Sequence, residues 1–176
     1  MSIVLFIMQH WNDNYRVVRR CNENSSYCQF MYPDIPCLGL LMKPKHKKAY
    51  MKCCVAFAEC SDDTRLKVGS VIVKNNRIIS CGYNAHTEHI TAPNQLSNGK
   101  TDLRVRHSEK NALMGLIKSN ESAVDATMFC THACCYFCDI DIVDAGIKKF
   151  IYQHNYRSDD GIKHLLQNGI IVEQLT

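Results

Sequence analysis

The sequence predicts an α/β fold, a mixed central sheet with helices packed on both faces. Three observations carry that expectation. The apolar run Lys67–Val73 and the shorter run Arg77–Cys81 flank Lys74-Asn75-Asn76, the pattern of a β-hairpin. After the hairpin, strand-like and helix-like stretches alternate to the end of the chain, which places helices against a sheet. A length of 176 residues suits one domain that buries a sizeable core without staples.

In chain order, residues 1–41 show no sustained period, and Pro33 and Pro36 break any late helix there. Cys21, Cys28 and Cys37 lack the paired C-x-x-C of a zinc knuckle. This stretch is expected to be a poorly ordered N-terminal extension, and Met42 reads as the start of the folded domain, 42–176. A helix begins at Lys43, with Pro44 tolerated in its first turn. Ala49, Tyr50, Cys53, Cys54, Phe57 and Ala58 form its apolar stripe, and Lys45, His46, Lys47, Lys48 and Lys52 read as a solvated face. Beyond the hairpin, the polar stretch 85–106 carries His86, His89, Pro93 and Asn98-Gly99 and reads as a long surface loop. Ser108–Lys118 is a helix with Ala112, Leu113, Leu116 and Ile117 inward, and Thr127–Thr131 is a strand. The turn Cys135–Cys138 opens a helix to about Ala145, capped by Gly146. Lys149–Gln153 is a strand, Gly161–Gln167 a short helix closed by Asn168-Gly169, and Ile170–Leu175 a last strand.

The composition is that of a globular protein, 46% apolar and 22% charged. A net charge of +4 suits an anionic small molecule as well as weak nucleic-acid contact. Eleven cysteines, an odd number without a secretory leader, argue for a reducing, cytoplasmic setting over a disulfide framework. The apolar run Ile3–Met8 is too short to span a bilayer and lacks a basic leader, so no membrane partner is expected.

Two short stretches carry the chemistry, His107-Ser108-Glu109 and Cys135-Tyr136-Phe137-Cys138. C-x-x-C lets two thiolates reach one metal from a turn and the first residues of a helix. Two cysteines and one histidine fill three positions of a tetrahedral zinc and leave the fourth for water, as in catalytic sites. Glu109 lies too close to His107 in sequence to share its direction of coordination, but is well placed to face that water and move its proton. Each motif opens a helix, and helix N-termini favour the thiolate form of Cys135 and Cys138. A closed structural zinc is the alternative, with His132 or Cys134 as the fourth ligand.

H-x-E followed by C-x-x-C is similar to the signature of zinc-dependent nucleobase deaminases. The segment 42–176 resembles, more narrowly, the deoxycytidylate (dCMP) deaminases of the cytidine deaminase superfamily, including viral forms. The matching pieces are Arg65-Leu66-Lys67-Val68-Gly69, Gly82-Tyr83-Asn84, the H-S-E and C-x-x-C motifs, Cys130-Thr131-His132, Ala145-Gly146-Ile147-Lys148-Lys149 and Asn155-Tyr156-Arg157. The resemblance implies the three-layer cytidine-deaminase-like fold and hydrolysis of dCMP to dUMP, with dCTP as a further candidate substrate. It implies Zn2+ on His107, Cys135 and Cys138, Glu109 as proton shuttle, Asn84 at the sugar, and Arg65, Lys67, Tyr156 and Arg157 around the phosphate. It also implies a homo-oligomer, a hexamer in relatives, with dCTP and dTTP as allosteric effectors.

The chain departs from the family in three places. Ser108 stands where alanine is usual, Cys134 replaces the proline before the first metal cysteine, and Asn84-Ala85-His86-Thr87 alters the loop that helps form the effector site. In some viral relatives an extra zinc lies nearby, for which His86 and His89 are candidates. Two other functions compete. A polynucleotide cytosine or adenosine deaminase needs a basic groove with aromatic stacking platforms, and no such stripe stands out, so nucleic acid is not expected. A zinc-stabilised binding protein without catalysis would draw on the altered loop and the lost proline, against the intact Glu109.

Overall fold

The computed structural model describes residues 42–87 and 93–176; the expected extension over 1–41 and His89 lie outside the described residues. Helix α1 (Pro44–Glu59) leads into the hairpin β1 (Gly69–Lys74) and β2 (Arg77–Tyr83). There follow β3 (Ala85–His86), β4 (Val105–Arg106), α2 (Ser108–Ile117), β5 (Thr127–His132), α3 (Tyr136–Asp144), β6 (Lys149–His154), α4 (Asp160–Gln167) and β7 (Ile171–Gln174). Five strands form one sheet in the order β2-β1-β5-β6-β7. β1 runs antiparallel to β2 and β5, and β5, β6 and β7 are mutually parallel, so the sheet is mixed as expected.

The strands alternate, and the alternation separates two cores. Ile72, Met128, Cys130, Phe150 and Tyr152 face a layer built from α2, α3 and α4, which supply Ala112, Leu113, Leu116, Ile142 and Leu165. Val71, Val73, Phe129 and Ile151 face α1 through Met51 and Cys54. Three layers result. The hairpin turn is fixed by Asn75 and Asn76, both at positive φ (50° and 59°), the handedness that a two-residue loop between twisted strands requires.

β1 starts two residues later than the sequence pattern suggests. The amide of Val68 is taken by the Asn84 side chain at 2.8 Å instead of a strand partner, and Asn84 Nδ2 donates to Leu66 O at 2.9 Å. The ladder therefore begins where Gly69 pairs with Tyr83. The stretch 85–106 also departs from a plain surface loop. Its ends pair as β3 and β4, and Gln95 bridges to Thr101. Contacts from distant residues hold it: Gln95 Nε2 donates to Asp63 at 2.6 Å, and Arg65 reaches Gly99 O at 3.0 Å and the Thr101 hydroxyl.

Lys47 leaves the solvated face expected for the lysine run. Its Nζ lies 2.7 Å from Glu173 on β7, which also accepts Lys149 Nζ at 2.7 Å, a triad that ties α1 to the parallel edge of the sheet. At the other end α1 rests directly on Gly69, where a Cβ would sit 2.0 Å from Cys54 O and 2.6 Å from Ala58 N. Both neighbours are backbone, so the helix would have to lift off the sheet. Gly69→Ala is expected to destabilise the protein by at least about 1–3 kcal/mol, the usual range for overpacking. The urea midpoint reads this, and an unchanged midpoint would show that α1 yields at that point. Among the described residues no helix is long and apolar enough to cross a membrane.

Candidate active site

Parallel strands put their carboxyl ends on the same edge, and in open α/β sheets that edge is where ligands bind. Here the edge receives the segment after β5, which carries Cys135 and Cys138, and the segment after β6, which carries Tyr156 and Arg157. The third contributor arrives from the hairpin side. Gly82 lets α2 lie against β2, since a Cβ there would meet Ser108 O and Ala112 N at 2.4 Å. That contact seats the start of α2 over β1 and β5.

His107 and Cys135 are the N-cap residues of α2 and α3, both with extended backbone and neither capping its helix with its side chain. A cap residue usually gives its side chain to the first free amides. These two turn toward each other instead. His107 Nδ1 lies 3.3 Å from Cys135 Sγ and 3.3 Å from Cys138 Sγ. The three ligand atoms all fall within 4.8 Å of one another, and the trio is the one group of that kind among the described residues. A tetrahedral zinc with sulfur at about 2.3 Å and nitrogen at about 2.0–2.1 Å separates such donors by roughly 3.5 Å, so the spacing fits the ion. His132 stays out of the trio: its Nδ1 meets the Thr131 hydroxyl at 3.1 Å and its ring packs on His154. Cys134 is buried beside Cys135 and also stays out, as its position in the chain leads one to expect.

The electrostatics suit a cation. The hydrogen bond with Cys138, against burial and with help from the one with His107, holds the Cys135 thiol far below its ordinary value. Cys138 is pushed up, first by that same bond and then by burial; a metal binds both as thiolates and releases their protons. The hydrogen bond to Cys135 raises His107. Cys130, by contrast, is pushed up to about 12 by burial and remains a thiol.

Glu109, in the first turn of α2, is 4% exposed and is not one of the three metal-type ligands. Burial raises its carboxyl, while the charge of His107 and a 2.9 Å hydrogen bond from Ser108 Oγ pull it back. A buried carboxyl beside a candidate metal site has the character of a proton carrier. The remaining expected site residues are spread more widely. Arg157 is near enough for its charge to act on His107, and its guanidinium sits 5.3 Å from the Tyr156 ring centroid. Arg65 is directed to Gly99 and Thr101, and Lys67 Nζ comes within 3.5 Å of Glu59 O. Both ends of the Asn84 amide are engaged by residues 66 and 68, which leaves it one further N–H to offer.

Sequence reasoning missed two groups that support the site. Asp139, fully buried beside Cys138, faces His164 Nδ1 of α4 at 3.2 Å. One turn earlier, Gly161 lets α4 approach Cys134 O so closely that a Cβ would lie 2.5 Å away. Helix α4 thus braces the cysteine turn from behind. The second is Ser70, whose hydroxyl lies 2.7 Å from that of Ser108, the residue that stands where alanine is usual in the family.

With this geometry in view, the comparisons with known proteins are specific. Residues 44–154 match the family model described as the cytidine and deoxycytidylate deaminase zinc-binding region. The deoxycytidylate deaminase of Saccharomyces cerevisiae is 31% identical over 146 residues, 77% of this chain and 46% of that protein, so the chain spans about half the length of the yeast relative. The deoxycytidylate deaminase of Mycobacterium phage D29 is 31% identical over 126 residues, 64% of this chain and 97% of the phage protein. Among solved structures, the dCMP deaminase of cyanophage S-TIM5 in complex with dCMP and dUMP superposes with a TM-score of 0.75 at 40% identity, over 77% of this chain and all of that one. By sequence, by layered architecture and by the residues gathered at the sheet edge, the chain belongs to the cytidine and deoxycytidylate deaminase family.

Proposed function

We propose that the chain hydrolyses dCMP to dUMP and ammonia, with His107, Cys135 and Cys138 holding one Zn2+ and Glu109 moving the protons. The observation that carries the reading is the convergence of two sulfurs and an imidazole nitrogen beside a buried carboxyl. The cyanophage relative, solved with substrate and product, supports dCMP as the base-bearing ligand. Zn2+, when bound, makes water nucleophilic at neutral pH. The protein's own groups do the rest. Glu109 accepts a proton from the water that adds to the amine-bearing carbon of cytosine. It returns that proton to the ring nitrogen, then carries the proton of the newly added hydroxyl to the amine, which leaves as ammonia as the C–N bond breaks and the carbonyl of dUMP forms. Asn84 offers its remaining N–H toward the sugar, and Arg65, Lys67, Tyr156 and Arg157 form the phosphate side of the reading.

Of the phosphate residues Arg157 is the one whose charge reaches His107, so it is assigned the main contact. A charge-assisted hydrogen bond contributes about 1.5–3 kcal/mol. Arg157→Ala is therefore expected to raise the KM for dCMP roughly tenfold or more, while turnover of deoxycytidine, which has no phosphate, changes little. Equal losses on both substrates would place Arg157 elsewhere in the mechanism.

The substrate reading is tested by offering the purified chain dCMP, dCTP, cytidine and a cytosine-containing single strand and following loss of the cytosine absorbance. Turnover of dCMP supports the proposal, and additional turnover of dCTP extends it. Turnover of the single strand alone would replace it with a polynucleotide deaminase. Family resemblance also suggests a hexamer responsive to dCTP and dTTP; light scattering and the same assay with added dCTP or dTTP check both.

A further inference from the structure

Beneath Glu109 lies a hydroxyl relay that the proton-shuttle reading does not use. Ser70 on β1 and Ser108 at the start of α2 are each 0% exposed, and their Oγ atoms are 2.7 Å apart. Ser108 Oγ donates to Glu109 Oε2 at 2.9 Å. The Cys130 sulfur lies 3.8 Å from Ser108 Oγ. Proton accounting fixes the direction of the relay. A serine hydroxyl has one proton and two lone pairs. The proton of Ser108 is placed on Glu109, so Ser70 must donate to Ser108, and the Cys130 thiol can add only a weak donation of its own. Ser108 is thereby satisfied although it is fully buried. The alignment comes from the fold: Ser70 shares a sheet face with Ile72 and pairs with Cys130 across the ladder, directly below the α2 start that Gly82 admits.

We propose that Ser108, oriented by Ser70, is a positioning residue that holds Oε2 of Glu109 and leaves Oε1 as the oxygen that carries the proton. A carboxylate in a buried site can rotate about its last torsion, whose energy wells are broad. Pinning one oxygen removes that freedom and presents the other to the reacting water in one orientation, which is worth rate only when the geometry is held. The inference rests on the assignment of Glu109 as proton shuttle for dCMP.

The test compares the parent, Ser108→Ala, and Ser70→Ala/Ser108→Ala, reading kcat and KM for dCMP, bound zinc and Tm. Alanine fits the space of Ser108, so the fold is kept. Ser108→Ala leaves the Ser70 hydroxyl only the weakly accepting Cys130 sulfur as a side-chain partner, and Tm falls. Loss of a hydrogen bond to a charged group lowers kcat about tenfold, with KM and zinc unchanged. The double variant replaces both hydroxyls by apolar groups, which removes the hydroxyl left with only a sulfur partner and restores Tm. kcat stays about tenfold low, because Glu109 still lacks its donor. Recovery of kcat together with Tm would reduce Ser108 to a packing role and overturn the proposal, as would parent-like kcat in Ser108→Ala. If the parent itself leaves dCMP untouched, the reading of the site falls, and the inference with it; a fully active parent with an unaffected Ser108→Ala removes the inference alone.

Discussion

Glu109→Gln is expected to abolish ammonia release from dCMP, by about 10²–10⁴ or more, while one zinc per chain remains bound. The size follows from what the substitution removes. Gln keeps the volume of the side chain and an oxygen to accept from Ser108 Oγ, so the start of α2 has no reason to move. It cannot take up a proton from water and return it to a base. Glu109 is also not one of the three metal-type ligands, so the metal has no ligand to lose. Rate and metal content therefore part company in this variant. An active Glu109→Gln would remove the shuttle from the account, and a variant that lost zinc with its activity would mark Glu109 as a structural support.

Cys138→Ala is expected to have the opposite signature, losing metal and activity together. Cys138 is 3% exposed, its sulfur 3.3 Å from His107 Nδ1, and its removal leaves one sulfur and one imidazole. Loss of an outer partner of a metal ligand weakens binding about 10–100-fold, and loss of the ligand itself should exceed that. Cys134→Ala is the matched control: the residue is as deeply buried and four positions away, yet outside the trio. It should keep its zinc. Metal analysis after dialysis separates the two variants, and equal retention of zinc in both would show that the metal is held by other residues.

The candidate site was legible because its three metal-type residues lie in two local patterns. H-x-E and C-x-x-C each set a helix start, and a parallel β5–β6 pair brings the second motif to the edge where Arg157 emerges. Most of the fold was legible for the same reason. Asn75-Asn76 marks the hairpin, and the switch between two-residue and helical periods marks the elements that follow, within a residue or two at their ends. What stayed hidden depends on residues far apart in sequence. The 85–106 stretch has no period, since its order comes from Asp63 and Arg65, more than thirty residues from the Gln95 and Thr101 they hold. The start of β1 moved because Asn84 took an amide that a strand would otherwise use. Ser70 looked like an ordinary strand residue, and only the pairing Ser70–Cys130 with α2 above it reveals its place beneath Glu109. Likewise nothing around His164 in the sequence marks it as the partner of Asp139.

These two signatures also separate the catalytic account from a scaffold that binds zinc without turning over substrate. In a scaffold, Cys138→Ala would cost metal and stability, and Glu109→Gln would have nothing to remove. The buried position of Glu109 between His107 and the Ser108 hydroxyl is hard to justify by stability alone, because burial works against its charged form.

The most direct measurement is dUMP formation from dCMP as zinc is returned to metal-free protein. No product is expected without metal, and the rate should rise in proportion to bound zinc and level off at one ion per chain. Full activity without metal, or one zinc per chain with no dUMP formed, would contradict zinc-dependent deamination.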